Sequence, residues 1–597
     1  MHVLGISCHY HDAAAALLRD GELVAAAQEE RFSRRKHDAS FPRRAVDFCL
    51  RRAGIEAGAL DYAVFYEKPL RKFDRILRTT LATYPRSWRP FGEAMISWFD
   101  EKLWIKSRIR EELGLDADRV LFAEHHVSHA ASAFFCSPFR EAALLTVDGV
   151  GEWTTAALGR GRADWGEGGG SEIELLREAR FPHSLGLLYS TFTAWLGFRV
   201  NNGEYKVMGM ASYGEPRHMD RLREVVRIQH DGSFRLDLDY FDFHRSPDRM
   251  YSDAFLRLFG PPRAPESDFV AEGMDPDAPV AASTLEGNQH YADVAATVQR
   301  FTEEAVLRSA RHLHERTDLD HLCVAGGVAL NSVANGRLMR EGPFEHLYVQ
   351  PAAGDAGGAV GAALYAWHVM LGEPRSYVMD HVFLGDEHST GEVRHLLEDE
   401  GVSHERPGRD ELTERVVDAL CEGKVVALHQ GRFEWGPRAL GNRSILADPR
   451  RTETKDVVNR KVKFREPFRP FAPALPADAA PRWFEGMEEA PDAEPPGPAP
   501  TDFMLAVMRW RDGAGARVPA VNHQGTGRLQ TVRRRHAPRF HAIVSRFGER
   551  TGVPVLLNTS FNLRGEPIVS TPATSLRTFR RSGIDLLVLE DTLVEAP

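Results

Sequence analysis

ALLTVDGVGEWTTAALGRG, residues 143–161, reads as a strand, an acidic-glycine turn at Asp148-Gly149 and a second strand. The same order stands near the start of the chain, where HVLGIS (residues 2–7) is followed by AAALLRDGELVAAA (residues 14–27), apolar runs that flank the Asp20-Gly21 turn signal. A pattern that returns in this way predicts two related halves of one α/β domain. Two further units, HLCVAGGVALN (residues 321–331) and HLYVQPAAGDAGGAVGAALYAWHVM (residues 346–370), pass from β-branched residues through glycines into helical patterns. Such strand ends let backbone amides approach a ligand, and a helix N-terminus favours anionic groups, so a phosphate-bearing ligand is expected. For any one of these loops taken alone, ordinary turn chemistry is the simpler reading.

At 597 residues the chain exceeds the size at which one hydrophobic core stops growing, and two or more domains are expected. The pattern breaks at LGEPRSYVMD, residues 371–380, where Pro374 follows a long helix; this predicts an N-terminal domain over 1–372 and a C-terminal domain over 380–597. Within the latter, residues 478–502 are rich in proline and acid and read as a solvated insertion without chemistry. A formal net charge of -10 counts against a general nucleic-acid binder while leaving small anions open. The five cysteines are spaced singly, so no CxxC pair suggests zinc or redox work. MHVLGIS carries no basic leader and no apolar run reaches spanning length, so a cytoplasmic protein with neither a membrane nor a nucleic-acid partner is expected. Assembly as a homodimer stays open.

AEHHVSHAASAF, residues 123–134, concentrates three histidines. On a helix, His125 and His129 share a face while His126 points about 100° away, so two imidazoles could hold one ion. Spacing alone leaves a surface or capping pair equally open. Asp148, at the end of its strand, and Asp355, in AAGDAGG, are the candidate completing ligands of a two-histidine, carboxylate set suited to iron, manganese or zinc. His126 then falls to an outer position or to solvent. In GEYKVMGMASYG, residues 203–214, Lys206 could meet a phosphate or simply pair with Glu204. His11, beside Asp12 just past the first strand, is a candidate general base for a hydroxyl, with a structural hydrogen bond the competing role.

The C-terminal half concentrates cations in GRFEWGPRALGNRSILADPR (residues 431–450) and KVKFREPFRPFAP (residues 461–473). Arg432, Arg438, Arg443, Lys463, Arg465 and Arg469 alternate there with Trp435, Phe464 and Phe468, and guanidinium forks bind phosphate or carboxylate. Arg528 in GTGRLQTV, and Asn558, Thr559, Ser560 and Asn562 in LLNTSFNLRGEPIV, add donors. Internal salt bridges to Glu434, Asp448 or Glu466 are expected for some of these arginines.

Taken in order, HDAAAALL, QEERFSRRKHD, HHVSHAASAF, DGVGEW, FPHSLGLLY, GEYKVMGM, GGVALN, PAAGDAGGA, GPRALGNRSILADPR, REPFRPFAP and LLNTSFN resemble the bacterial O-carbamoyltransferase family of nodulation-factor, cephamycin and tobramycin carbamoylating enzymes, over nearly the whole chain. The resemblance implies an N-terminal domain of the actin-like ATPase superfamily, with duplicated ribonuclease-H-like halves, similar to the tRNA threonylcarbamoyl transferase. It also implies a C-terminal α/β domain similar to the threonylcarbamoyl-adenylate synthase fold. By that resemblance, carbamoyl phosphate and ATP give carbamoyl-adenylate in the C-terminal domain, and the N-terminal domain moves the carbamoyl group to a small-molecule hydroxyl. The implied metal ligands are His125, His129, Asp148 and Asp355, with iron(II) as the ion and Mg2+ left open as a further one. The implied anion-binding residues are Arg438, Lys463, Arg528 and Ser560. His11 falls at the acyl-transfer site, and Gly326, Gly327 and Asn331 fall beside the nucleotide.

Three rivals are weighed against this. A tRNA-modifying carbamoyl transferase would need a sizeable basic surface, which the charge disfavours. The hydrogenase-maturation carbamoyl-transfer protein carries cysteine pairs that are absent here. A non-catalytic nucleotide-binding module would have little use for both the metal set and the cation cluster.

Overall fold

The computed structural model describes residues 1–596 other than 86, 88–90, 93, 94, 96, 97, 99–101, 164, 167–169, 247, 275–281 and 488–496. The chain forms two compact units, the first made of Met1–Val24, Ala39–Pro42 and Ala53–Val378, the second of Ala25–Asp38, Arg43–Arg52 and Met379–Pro597. The change-over near residue 378 lies within the break at 371–380, but residues 25–38 and 43–52 group with the C-terminal part of the chain.

The first unit holds an α/β pair of mixed sheets, apart from residues 25–28 at the end of the third strand, which group with the second unit. One contains β1 (His2–Ser7), β2 (Ala14–Arg19), β3 (Glu22–Gln28), β4 (Tyr62–Phe65) and β5 (Val120–Phe122) in the order β3-β2-β1-β4-β5. Strand β1 is antiparallel to β2, with Ser7 opposite Ala14, and parallel to β4; β4 is parallel to β5. The second sheet contains β6 (Glu141–Val147), β7 (Thr154–Arg162) and β8 (Glu172–Arg180). After the ribbon of β9 (Val226–Ile228) and β10 (Phe234–Leu236), it gains β11 (His321–Ala325) and β12 (His346–Val349), in the order β12-β11-β6-β7-β8. Here too the first strand is antiparallel to the second and parallel to the fourth. One strand order therefore occurs twice, as the repeated strand-turn-strand pattern predicts. Asp20 and Gly21, both at positive φ, make the first turn.

In each half the fifth strand leads into a helix, His125–Phe134 after β5 and Asp355–Tyr365 after β12. The two helices pack closely because Gly361 has no side chain: a Cβ there would meet Ser128 O at 1.7 Å. Ligands favour the carboxyl ends of strands in such sheets, and both helices begin there.

The second unit is built on β13 (Val426–His429), β14 (Arg443–Ala447), β15 (Ala472–Pro476), β18 (Gln530–Val532), β19 (Leu556–Ser560), β20 (Leu586–Leu589) and β21 (Thr592–Glu595), with a ribbon of β16 (Val507–Arg509) and β17 (Thr526–Arg528). The seven-stranded order is β18-β15-β19-β14-β13-β20-β21. Leu412, Val416, Phe540, Ile543 and Phe547 close a core on this sheet. The reading of 478–502 as a solvated insertion is corrected where it is described: Ala480, Trp483, Phe484 and Thr501 are buried. Composition misled there because apolar residues that are buried stand among the proline and acidic ones. Residues 488–496 of that stretch lie outside the described residues. Among the described residues no helix is long and apolar enough to cross a membrane.

Candidate metal centre and cation cluster

His125 is the first residue of its helix and His129 lies one turn on, both buried. The helix start has no side-chain cap of its own; Glu152 accepts the His125 N–H at 3.0 Å and thereby fixes the first turn. Asp148 follows β6, and Asp355 opens its own helix. From these elements the four side chains converge. His125 Nε2 lies 3.1 Å from His129 Nε2 and 2.9 Å from Asp148 Oδ2. His129 Nε2 is 3.3 Å from that same oxygen, and both Nε2 atoms are 3.7 Å from Asp355 Oδ1.

Donors held at about 2.0–2.2 Å by one tetrahedral ion are themselves roughly 3.3–3.6 Å apart, so this N2O2 set has the spacing of a single coordination shell. The donor chemistry fits a divalent transition ion. Burial opposes charge on His125, but its hydrogen bond to Asp148, the nearby carboxylate of Glu67 and the charge of Asp355 hold its pKa well above the ordinary histidine value. The same conflict, burial against Asp148 and Asp355, raises His129. Burial also opposes charge on Asp148, yet the two imidazoles keep it well below the carboxylate range. His126 is buried rather than solvated; its Nδ1 lies 2.7 Å from Thr146 Oγ1.

His11 Nδ1 is 2.9 Å from Asp12 Oδ2. Burial lowers its pKa, but the charges of Asp355, Asp12 and Asp148 raise it to about 9. Gly327 N–H donates to Asp148 Oδ1 at 3.0 Å, which gives the GGVALN loop a direct tie to the ligand set. Asn331 caps the helix Ser332–Glu341 by accepting Ala334 N–H at 3.1 Å, and it exchanges two hydrogen bonds with Gln299. Lys206 sits on the helix Glu204–Ala211 with Nζ 5.4 Å from the Phe198 ring centroid, while Glu204 accepts from Ser190 and from Asn201 N–H. The residues that sequence reasoning missed are Tyr66, Glu67, Lys72 and Glu152. Glu67 alone carried a signal, an acidic residue just past a strand end.

In the second unit, Lys463 is buried, and its Nζ donates to Asn562 Oδ1 at 2.9 Å and to Ser560 Oγ at 3.3 Å. Burial, reinforced by Arg465, Arg469 and Lys36, pushes the lysine well below its ordinary range. Burial likewise lowers Arg528, with Arg438, Arg465 and Arg469 adding repulsion. These cations thus share one place, an arrangement that a polyanion would relieve. Arg432 and Arg443 do not join them. Arg432 donates to the carbonyls of Gly385 and Leu384, and Arg443, fully buried, to those of Gln430, Gly431 and Asn442. Of the expected internal pairs, Glu466 takes Arg469 at 3.5 Å, while Asp448 takes Arg450, outside the named set, at 2.7 Å. Glu434 instead accepts the backbone N–H groups of Leu440, Asn442 and Arg443, which shapes the loop that carries Arg438.

Residues 2–364 match the family model described as Carbamoyltransferase N-terminus, and residues 417–596 the one described as Carbamoyltransferase C-terminus. An uncharacterized protein of Synechocystis sp. is 44% identical over 625 residues, 99% of this chain and 96% of that protein. Nodulation protein NolNO of Sinorhizobium fredii is 36% identical over 593 residues, 98% of this chain and 79% of the relative. The 3'-hydroxymethylcephem-O-carbamoyltransferase of Amycolatopsis lactamdurans is 31% identical over 418 residues, 69% of each chain.

Proposed function

The chain belongs to the carbamoyltransferase family, and from that premise we propose that it is an ATP-dependent O-carbamoyltransferase acting on a hydroxyl of a small natural product or sugar. In this reading the first unit is an actin-like ATPase-type domain, a view supported by its repeated strand order. The second unit is the adenylate-forming domain, and the protein is cytoplasmic.

In the second unit, water displaces phosphate from carbamoyl phosphate to leave carbamate. A carbamate oxygen then attacks the α-phosphorus of ATP; the bond to the β-phosphate bridge breaks and pyrophosphate departs. Lys463, Arg438 and Arg528 hold these anions, with Ser560 beside the lysine, and Mg2+ enters as the companion of the nucleotide. In the first unit the acceptor oxygen attacks the carbamoyl carbon, the bond to AMP breaks, and His11, oriented by Asp12, takes the hydroxyl proton. A divalent ion held by His125, His129, Asp148 and Asp355, iron(II) in this reading, would supply positive charge for the developing oxyanion and offset the carboxylates that raise His11. Gly326, Gly327 and Asn331 line the nucleotide side, and Lys206 faces its phosphate.

The observation that carries the reading is the convergence of His125, His129, Asp148 and Asp355, from distant parts of the sequence, into one compact donor set inside a carbamoyltransferase-family unit. The test is pyrophosphate release from carbamoyl phosphate and ATP. The Arg438→Ala, Lys463→Ala double variant is expected to lose it; release at the wild-type rate would overturn the assignment.

A further inference from the structure

Tyr66 and Glu67 follow β4 directly and reach the donor set from outside. Tyr66 Oη donates to Asp355 Oδ2 at 3.3 Å. Glu67 Oε2 stands 3.8 Å from His125 Nδ1, a buried nitrogen that closes no hydrogen bond of its own. Both Glu67 oxygens meet Lys72 Nζ, at 3.0 and 2.7 Å, and both residues are buried. An ion pair withdrawn from water regains in mutual attraction little more than its desolvation costs, so stability alone does not explain why this one is kept beneath His125.

The imidazole of His125 is contested from two sides. Its Nε2 faces Asp148 Oδ2 at 2.9 Å, which would draw the ring proton to that nitrogen and remove its lone pair from use. A carboxylate on the Nδ1 side draws the proton the other way. We propose that Glu67 is a positioning residue: fixed in place by its two contacts with Lys72, it sets the His125 proton on the Nδ1 side, so that the Nε2 lone pair faces His129, Asp148 and Asp355. Tyr66 orients Asp355 from the same strand end. The inference rests on the reading of these four residues as metal ligands, and partners of this kind typically change metal affinity strongly.

The experiment uses the full chain with Co2+ as the probe, following stoichiometry, Kd and visible absorption. Wild type should bind one Co2+. Glu67→Gln should bind it about 10–100-fold more weakly, with a changed absorption spectrum. The double variant Glu67→Gln, Lys72→Met removes the lysine left unpaired by the first change, so it should recover the melting temperature of the metal-free protein without recovering affinity. Wild-type Kd and spectrum in Glu67→Gln would overturn the proposal, as would affinity that returns together with melting temperature in the double variant. No Co2+ binding by wild type would overturn the metal reading itself, and this inference with it.

Discussion

Gly327 donates its backbone N–H to Oδ1 of Asp148 at 3.0 Å, while Oδ2 of the same carboxylate faces His125 and His129. The two oxygens are thus divided between a loop and the donor set. A glycine loop that reads as a nucleotide contact in sequence also orients an acidic ligand, because β11 and β6 run side by side and end together.

Gly326 is the sensitive point of that loop. Its φ is +94°, and a Cβ there would meet Val147 O at 2.3 Å. Gly326→Ala should therefore cost about 1–3 kcal/mol in denaturant unfolding and, by shifting Gly327, weaken divalent-metal binding. Unfolding and metal titration within error of wild type would count against this role.

The repeat of strand, turn and strand was legible because alternating apolar runs and Asp-Gly turns are local signals. The four-residue step from His125 to His129 was legible for the same reason. Glu67 was not, since only the pairing of β4 with β5 brings the residues after one strand beside the helix that follows the other. The density of cations by itself did not separate Arg438 from Arg432 and Arg443, as the family resemblance did: the last two are bound by backbone carbonyls, which every residue carries. Trp483 and Phe484 show a third limit, for two buried rings outweigh the composition around them.

Metal removal gives the next test. A ligand that binds only the folded state stabilises it, by about 2.7 kcal/mol at a free concentration 100 times Kd. Chelation should lower the melting temperature of wild type, and His125→Ala combined with His129→Ala should abolish both bound metal and the response to chelator, while pyrophosphate release persists. Full metal occupancy in that double variant would remove His125 and His129 from the ligand set.

Anion binding in the second unit should take up protons. Burial first, then Arg465, Arg469 and Lys36, depress Lys463, so above its lowered pKa the free site holds a neutral amine. A bound polyanion favours the ammonium form, hence proton uptake and an affinity that falls as pH rises through the depressed value. Without anion the sign for folding is opposite: the unfolded chain binds the extra proton, so stability rises with pH from that depressed value up to the ordinary lysine range. Calorimetry with pyrophosphate in two buffers of different ionisation enthalpy measures the uptake. No proton uptake in wild type, or equal uptake in Lys463→Met, would assign the effect elsewhere.

Glu434 decides whether the loop carrying Arg438 holds its shape. Its Oε1 accepts Leu440 N–H at 2.8 Å, Asn442 N–H at 2.9 Å and Arg443 N–H at 3.1 Å, and the side chain is buried. Deleting that acceptor strands three backbone donors, each worth about 1–3 kcal/mol when buried without a partner. Glu434→Ala should thus lose more than about 3 kcal/mol in urea unfolding, whereas Glu434→Gln, which keeps an amide oxygen in place, should lose clearly less. Pyrophosphate affinity should fall in the same order, because Arg438 lies between Glu434 and the first of the three donors. Equal losses in the two variants would mean that the charge of Glu434, acting on Arg443 and Arg31, matters more than its three hydrogen bonds.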